Sequence, residues 1–197
     1  CPRDAMQGIP TIIPTELKIR YLNLLLRAGF DTLDFGSFVS PRAVPQMADT
    51  AEVLQGLDVE GTETDLLVIV ANRRGAETAL FFPEITYLGY PFSISETFQL
   101  RNTRKTIAES LELVQHMQDM CLGHDKELVI YISMAFGNPY GDAWSPEVAE
   151  QWVEKMVAIG VRTIALADTV GTATPEQISL LFRRLLVRFP DVTFGAH

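Results

Sequence analysis

Charged and polar residues stand where short apolar runs of this sequence end. Arg3 and Asp4 open the chain, Asp34 lies inside Leu33-Asp34-Phe35, and Ser133 closes the run 127–133. Asp168 and Thr169 follow the run 163–167, and His197 follows the run 192–195. A carboxylate inside an apolar strand is costly unless it is paired or ligating, and Asp34 has no capping work to do there. An aspartate just after a strand also serves as a turn or cap residue, and a lone histidine is often structural. Together the set offers two or three carboxylates, one imidazole and one guanidinium. Aspartate oxygens with an imidazole suit a hard divalent cation such as Mg²⁺ or Mn²⁺, and the arginine is left to meet an anionic substrate group. His116 and His124 read as surface residues of a long helical stretch, and Cys121 as packing.

Such residues act together only if the elements carrying them end at one place. Continuous apolar or β-branched runs occur at 32–36 (TLDFG), 65–71 (DLLVIVA), 85–90 (ITYLGY), 127–133 (ELVIYIS), 163–167 (TIALA) and 192–195 (VTFG). Runs without alternation fit parallel strands buried on both faces. Helical patterns lie between them. One spans 15–28, with an apolar stripe of Leu17, Tyr21, Leu24, Leu25 and Ala28 and Gly29 behind it. A second spans 44–57 through Val44, Met47, Ala51, Val53, Leu54 and Leu57, and a long third spans 102–122 before Gly123. Ser145-Pro146 supplies an N-cap and a first-turn proline for a helix to 159. Thr174 with Gln177 forms a capping box for another, reaching about residue 189.

The strand centres lie about 32 residues apart on average, so eight βα units would need about 256 residues, the usual length of a (β/α)8 barrel. The expected fold is therefore an α/β (β/α)8 TIM barrel, incomplete in residues 1–197, which form one partial catalytic domain. The start of the first strand and the C-terminal units are missing from it, and the chain reads as part of something longer. The alternative is an open doubly wound sheet, although no glycine-rich phosphate loop follows any strand.

Composition narrows the partners. The 197 residues are 47% apolar and carry 16 Lys+Arg against 25 Asp+Glu, a net charge of −9. That excess argues against nucleic acid, and no apolar run approaches the roughly 20 residues of a membrane span. Two cysteines make no disulfide framework and point to a reducing compartment, so a cytoplasmic location is the default expectation. The residues do not fix an oligomeric state; a homodimer is the one entertained.

The motifs then resemble a known family. Ser37-Phe38-Val39-Ser40-Pro41-Arg42-Ala43-Val44-Pro45-Gln46-Met47-Ala48-Asp49 is similar to the stretch after the second strand of hydroxymethylglutaryl-CoA lyases. Pro2-Arg3-Asp4 with Gln7, Ser95-Glu96, Gly137-Asn138-Pro139-Tyr140-Gly141 and the run from Leu166 to Pro175 follow in the same order. The first signal is specific. PRD and ADTxG are shared across a superfamily of metal-dependent lyases and synthases that includes isopropylmalate and homocitrate synthases.

The resemblance implies a metal-dependent TIM-barrel lyase that splits 3-hydroxy-3-methylglutaryl-CoA into acetyl-CoA and acetoacetate. Its implied metal ligands are Asp4 and His197, and a second histidine, an asparagine and a catalytic cysteine would lie beyond residue 197. Arg3 would stabilise the thioester enolate, Asp34 would stand where the family has a glutamate, and Asp168 would be a further acidic residue of the site. Gln7, Ser37, Ser95 and Thr169 are the expected substrate-binding residues. An anionic acyl-CoA thioester needs a local basic rim on a −9 chain, and Arg73, Arg74, Arg101, Arg104 and Lys105 could form one. Cys1, Ala5 and Asp34 depart from the family's usual residues. A related lyase, a Claisen-type synthase and a non-catalytic metal-binding scaffold are the alternatives.

Overall fold

A computed structural model describes residues 1–197. Its six strands, β1 (Thr32–Ser37), β2 (Asp65–Ile69), β3 (Ile85–Ser93), β4 (Glu127–Ser133), β5 (Thr163–Leu166) and β6 (Thr193–Ala196), follow chain order within one sheet. The pairs β1–β2, β4–β5 and β5–β6 are parallel. Eight helices alternate with the strands: α1 (Pro2–Gln7), α2 (Thr15–Leu26), α3 (Thr50–Gln55), α4 (Arg73–Leu80), α5 (Glu96–Thr103), α6 (Ile107–Leu122), α7 (Pro146–Ile159) and α8 (Pro175–Arg188). Contacts group the chain into two compact units, Cys1–Leu88 and Gly89–His197, with the boundary inside β3.

In the first unit, Leu66, Leu67, Val68, Ile69 and Val70 are all buried, as an unbroken apolar run requires of a strand covered on both faces. β1 carries a bulge. Asp34 pairs with Leu67 and Gly36 with Val68, so Phe35 is one residue too many for the ladder. The buried side of α2 is Lys18, Leu22 and Leu26, not the predicted stripe, since Leu17, Tyr21 and Leu24 are exposed. The reason is electrostatic. The Lys18 stem is packed inside while its ammonium meets the Asp49 carboxylate.

The predicted helix at 44–57 is also two pieces, a 3₁₀ turn at Pro45–Met47 and α3. The break falls at Asp49, whose backbone is not helical (φ −97°, ψ 15°) and whose carboxylate is turned to Lys18 and Thr15. Glycines permit close approaches here. A Cβ on Gly75 would lie 2.3 Å from the Phe38 carbonyl oxygen, so α4 can lie against the segment after β1 only with glycine at that place.

In the second unit, Ile130 and Ile132 of β4 and Ile164 and Leu166 of β5 are completely buried, as are Val114, Met117, Met156 and Leu185 of the helices. The predicted single helix at 102–122 is broken. α5 ends at Thr103, Arg104 takes a left-handed φ of 59°, and α6 starts afresh from a Thr106–Glu109 capping box. Ser145 and Thr174 cap α7 and α8 as expected. His116 departs from the surface assignment, because its Nε2 is buried without a hydrogen-bond partner.

Candidate functional site

Residues 2–7 form a single helical segment rather than a strand exit, and six residues are too few to hold a helix unaided. Arg3 anchors it. Arg3 is 6% exposed, and its Nε donates to both Asp34 oxygens at 3.1 Å while Nη2 donates to Oδ2 at 2.7 Å. Nη1 donates to Asp4 Oδ1 and Gln7 Oε1, each at 3.1 Å. The Cys1 thiol donates to Asp34 Oδ2 at 2.7 Å and lies 3.7 Å from Arg3 Nη2. Asp34 is therefore the guanidinium's main partner, which accounts for a carboxylate that is only 8% exposed inside β1. Asp4 differs. Its side chain is 46% exposed, and the bonds from Arg3 and from Gln7 Nε2, the latter at 2.7 Å, both fall on Oδ1.

Ser37 sits at the end of β1, buried, with a hydroxyl that has no partner. Its backbone N–H donates to Thr50 Oγ1 at 3.2 Å, and that hydroxyl donates to the Met47 carbonyl at 2.8 Å. A buried hydroxyl without a bond is an incomplete interaction.

The second unit holds the remaining candidates. Asp168 accepts from the Thr172 N–H on Oδ1 and the Ala173 N–H on Oδ2, both at 3.0 Å, and so folds its own loop. Its N–H donates to the His197 carbonyl at 3.0 Å, and the His197 N–H donates to the Leu166 carbonyl at 2.9 Å. The His197 ring stands edge-on to Tyr131, with centroids 5.1 Å apart. Thr169 Oγ1 accepts from the Met134 N–H at 2.8 Å. Met134, just past β4, takes a left-handed φ of 61° although it is not glycine, a strain that clusters at functional sites.

Ser95 is wholly buried and caps α5, and its hydroxyl donates to Asp142. The Thr97 N–H and hydroxyl donate to the same carboxylate at 3.0 Å each. The Ser95 hydroxyl, then the Thr97 N–H, hold the Asp142 carboxyl below the ordinary carboxylate range. Asn138 closes the loop on itself through Asp142 and Tyr140. Of the expected basic residues, Arg101 lies over the Tyr140 ring at 4.8 Å, and Arg73 pairs with Glu77 one turn away on α4.

The structure thus brings Arg3, Asp4, Gln7 and Asp34 into one cluster, and Asp168, Thr169 and His197 to adjoining strand ends. Gln46, Asp142 and Met134 are additions that residue types alone did not single out. A hard octahedral cation needs about six oxygen or nitrogen donors, and no three His, Cys, Asp or Glu side chains of this chain converge to hold one. The residues present do not make a complete cation site by themselves.

Parallel strands in chain order, alternating with helices and carrying polar residues at their C-terminal ends, define a (β/α)-barrel scaffold. The chain belongs to the HMGL-like family, which it matches over residues 1–197. It is 33% identical to the Bacillus subtilis hydroxymethylglutaryl-CoA lyase YngG, covering 100% of this chain and 65% of that protein. It is also 33% identical to the (R)-citramalyl-CoA lyase of Chloroflexus aurantiacus, covering 100% of this chain and 64% of that one.

Among solved structures, a Bacillus subtilis HMG-CoA lyase superposes with a TM-score of 0.92 at 32% identity, over 100% of this chain and 65% of its own. An Acinetobacter baumannii HMG-CoA lyase in complex with coenzyme A and 3-methylmalate gives 0.90 at 30%, over 98% and 63%. The chain spans just under two thirds of the length of the curated relatives it matches.

Proposed function

We propose that the protein to which this chain belongs is a carbon–carbon lyase of acyl-CoA thioesters, with 3-hydroxy-3-methylglutaryl-CoA as its substrate. The observation that carries the reading is the buried Arg3, oriented by Asp34 in the segment that holds the family's PRD motif. In the reaction, the tertiary hydroxyl loses its proton and the oxygen electron pair forms the ketone of acetoacetate. The C2–C3 bond breaks, and its electrons leave on acetyl-CoA as a thioester enolate. That carbon is then protonated, which balances the proton removed.

Arg3 is the group that meets the enolate oxygen. All five of its N–H positions are engaged in this chain, and the longest contact is the 3.7 Å one to the Cys1 sulfur. A substrate oxygen displaces that contact at least cost. Such a preorganised donor supplies transition-state stabilisation of about 3–4 kcal/mol. Asp34, saturated by the guanidinium and a thiol, serves to orient Arg3 rather than to carry the proton. His197, exposed at the last strand end, would serve a bound cation through its imidazole, and a nitrogen so used takes no proton.

Asp4, through the oxygen not used by Arg3 and Gln7, and His197, each taken in its own unit, are of the donor type that would suit Mg²⁺ or Mn²⁺. That ion would supply Lewis acidity. Ser37 and Thr169 are the direct substrate contacts, Gln7 fixes Asp4, Asp168 shapes its own loop, and Ser95 locks the loop after β4.

The (R)-citramalyl-CoA lyase relative favours a second reading, the same bond cleavage on a different hydroxyacyl thioester. One experiment separates the two. The full-length protein is incubated with Mg²⁺ or Mn²⁺ and either hydroxymethylglutaryl-CoA or citramalyl-CoA, and acetyl-CoA and the keto product are measured. Acetoacetate from the first substrate supports the proposal, cleavage of the second alone supports the alternative, and turnover of neither ends both.

A further inference from the structure

The sequence signature Val44-Pro45-Gln46-Met47-Ala48-Asp49 lies far along the chain from the Arg3 segment, and in the structure its two polar residues reach back to it. Gln46 is 2% exposed. Its Oε1 accepts from the Ile13 N–H at 2.9 Å, and its Nε2 donates to the Ile9 and Thr11 carbonyls, each at 3.1 Å. One amide side chain thus spends every bond shown for it on the backbone of residues 9–13. Lys18, also 2% exposed, donates to the Gln46 carbonyl and, at 2.7 Å, to Asp49 Oδ1. The Thr15 hydroxyl donates to Asp49 Oδ2 at 2.8 Å.

The held segment has little else to fix it. Residues 8–12 and Pro14 are exposed, and Ile13 is half-buried. Below them Ala5, Met6, Ile9, Ile13, Leu17 and Tyr21 line a cleft of about 390 Å³, so the apolar side chains of the segment do not pack tightly. Immediately before it comes the six-residue helix with Arg3, Asp4 and Gln7. A helix that short owes its order to what its ends are tied to.

We infer that Gln46 is a positioning residue: its amide ties down residues 9–13 and so fixes the angle at which α1 presents Arg3 and Asp4. Lys18 and Asp49 hold the turn that carries Gln46. This deepens the proposed function and rests on it only for the catalytic consequence. The purely structural alternative is that the same bonds stabilise the fold without affecting the geometry of Arg3.

The test uses the full-length protein and two variants. Gln46→Met keeps the length and volume and loses all three bonds, and Gln46→Glu keeps an acceptor for the Ile13 N–H and loses the two donors. Hydrogen–deuterium exchange is read for residues 3–13 against the β2 amides, and kcat and KM are read with hydroxymethylglutaryl-CoA. The expected result for Gln46→Met is exchange at least about tenfold faster at residues 3–13 and unchanged in β2. With it, kcat falls about 10- to 100-fold, the scale of an ångström-sized misplacement, while KM changes less than about threefold. Gln46→Glu sets a carboxylate oxygen against the Ile9 and Thr11 carbonyls and shows the same two changes, at least as large.

Unchanged exchange at residues 3–13 overturns the inference. So does faster exchange with unchanged kcat, which assigns Gln46 to stability alone. If Gln46→Met does not fold, Gln46→Asn, which keeps the amide but sets it one methylene short of its partners, takes its place in both readouts. A wild type that cleaves no thioester ends the proposed reaction, and the exchange at residues 3–7 then decides alone whether Gln46 positions α1.

Discussion

The Arg3 cluster and the Asp168–His197 corner carry similar residue types and are built in opposite ways. The first is side chain upon side chain: a buried guanidinium is fixed by a buried carboxylate from another element, and every bond is non-local apart from those within α1. The second is side chain upon backbone: Asp168 folds the five residues after it, and His197 is held by its main chain with its ring exposed. The first arrangement fixes the direction of a charge. The second fixes the path of a loop and leaves an imidazole accessible.

Arg3→Gln puts that contrast under the greatest strain. It should lower kcat by at least about 10²- to 10³-fold, the loss typical of a preorganised oxyanion donor. It also leaves the buried Asp34 carboxylate without its guanidinium, a destabilisation of about 3–5 kcal/mol. The double variant Arg3→Gln/Asp34→Asn should recover most of the melting temperature and none of the turnover. Recovery of both would show that the pair serves stability only.

Asp168→Asn should have a smaller effect, because one carbonyl oxygen still accepts from the loop and one N–H loses its partner, at about 1 kcal/mol. Activity should fall less than about tenfold. A loss as large as that of Arg3→Gln would mean that Asp168 is chemical as well as structural.

Acid bears next on the second unit outside the Asp168–His197 corner. Hydrogen bonds to Ser95 and Thr97 lower the Asp142 carboxyl, the Thr106 N–H lowers Glu109, and Glu150 is lowered mainly by Arg188. All three lie in the second unit. Each binds its proton more readily when unfolded, so their stabilisation is complete above the unfolded values of about 4 and is lost as pH falls through the lower folded ones. Melting temperature should hold from pH 7 to about 5 and drop below about 4, and Asp142→Asn should make that drop shallower. An equal drop in the variant would remove Asp142 from the explanation.

Thiol labelling is the mildest probe. Cys1 is exposed, whereas burial pushes the Cys121 thiol up to about 12. Iodoacetamide at pH 8 should therefore modify Cys1 and spare Cys121, as peptide mass spectrometry would show. Labelling of both at equal rates would mean that α6 opens readily.

Much of this was legible in residue order. Unbroken apolar runs gave the strands, Ser145 and Thr174 gave helix starts, and an aspartate inside an apolar run signalled a buried partner. The partner itself was not legible, since Arg3 and Asp34 meet only through the fold. The break between α5 and α6 was written in Thr106 and Glu109, but apolar periodicity continues across it and masks the cap. α2 misled for a related reason. A lysine on its buried side counts as polar in any pattern, although Asp49 makes that place tolerable. Gln46 gave no signal of its own, because an amide that bonds only to main chain has no complementary residue type to pair with in sequence.

The bulge at Phe35 sets a different kind of limit on change in this chain. Substitutions around Asp34 alter one side chain at a time, whereas deleting Phe35 would leave Gly36 on Val68 and Ser37 on Ile69 and remove only the bend and added twist of the bulge. The strand would then aim the Asp34 carboxylate differently at its partner Arg3. Length in this strand is therefore less negotiable than identity, and a homologue that keeps Asp34 but lacks the extra residue should not be expected to keep the same site.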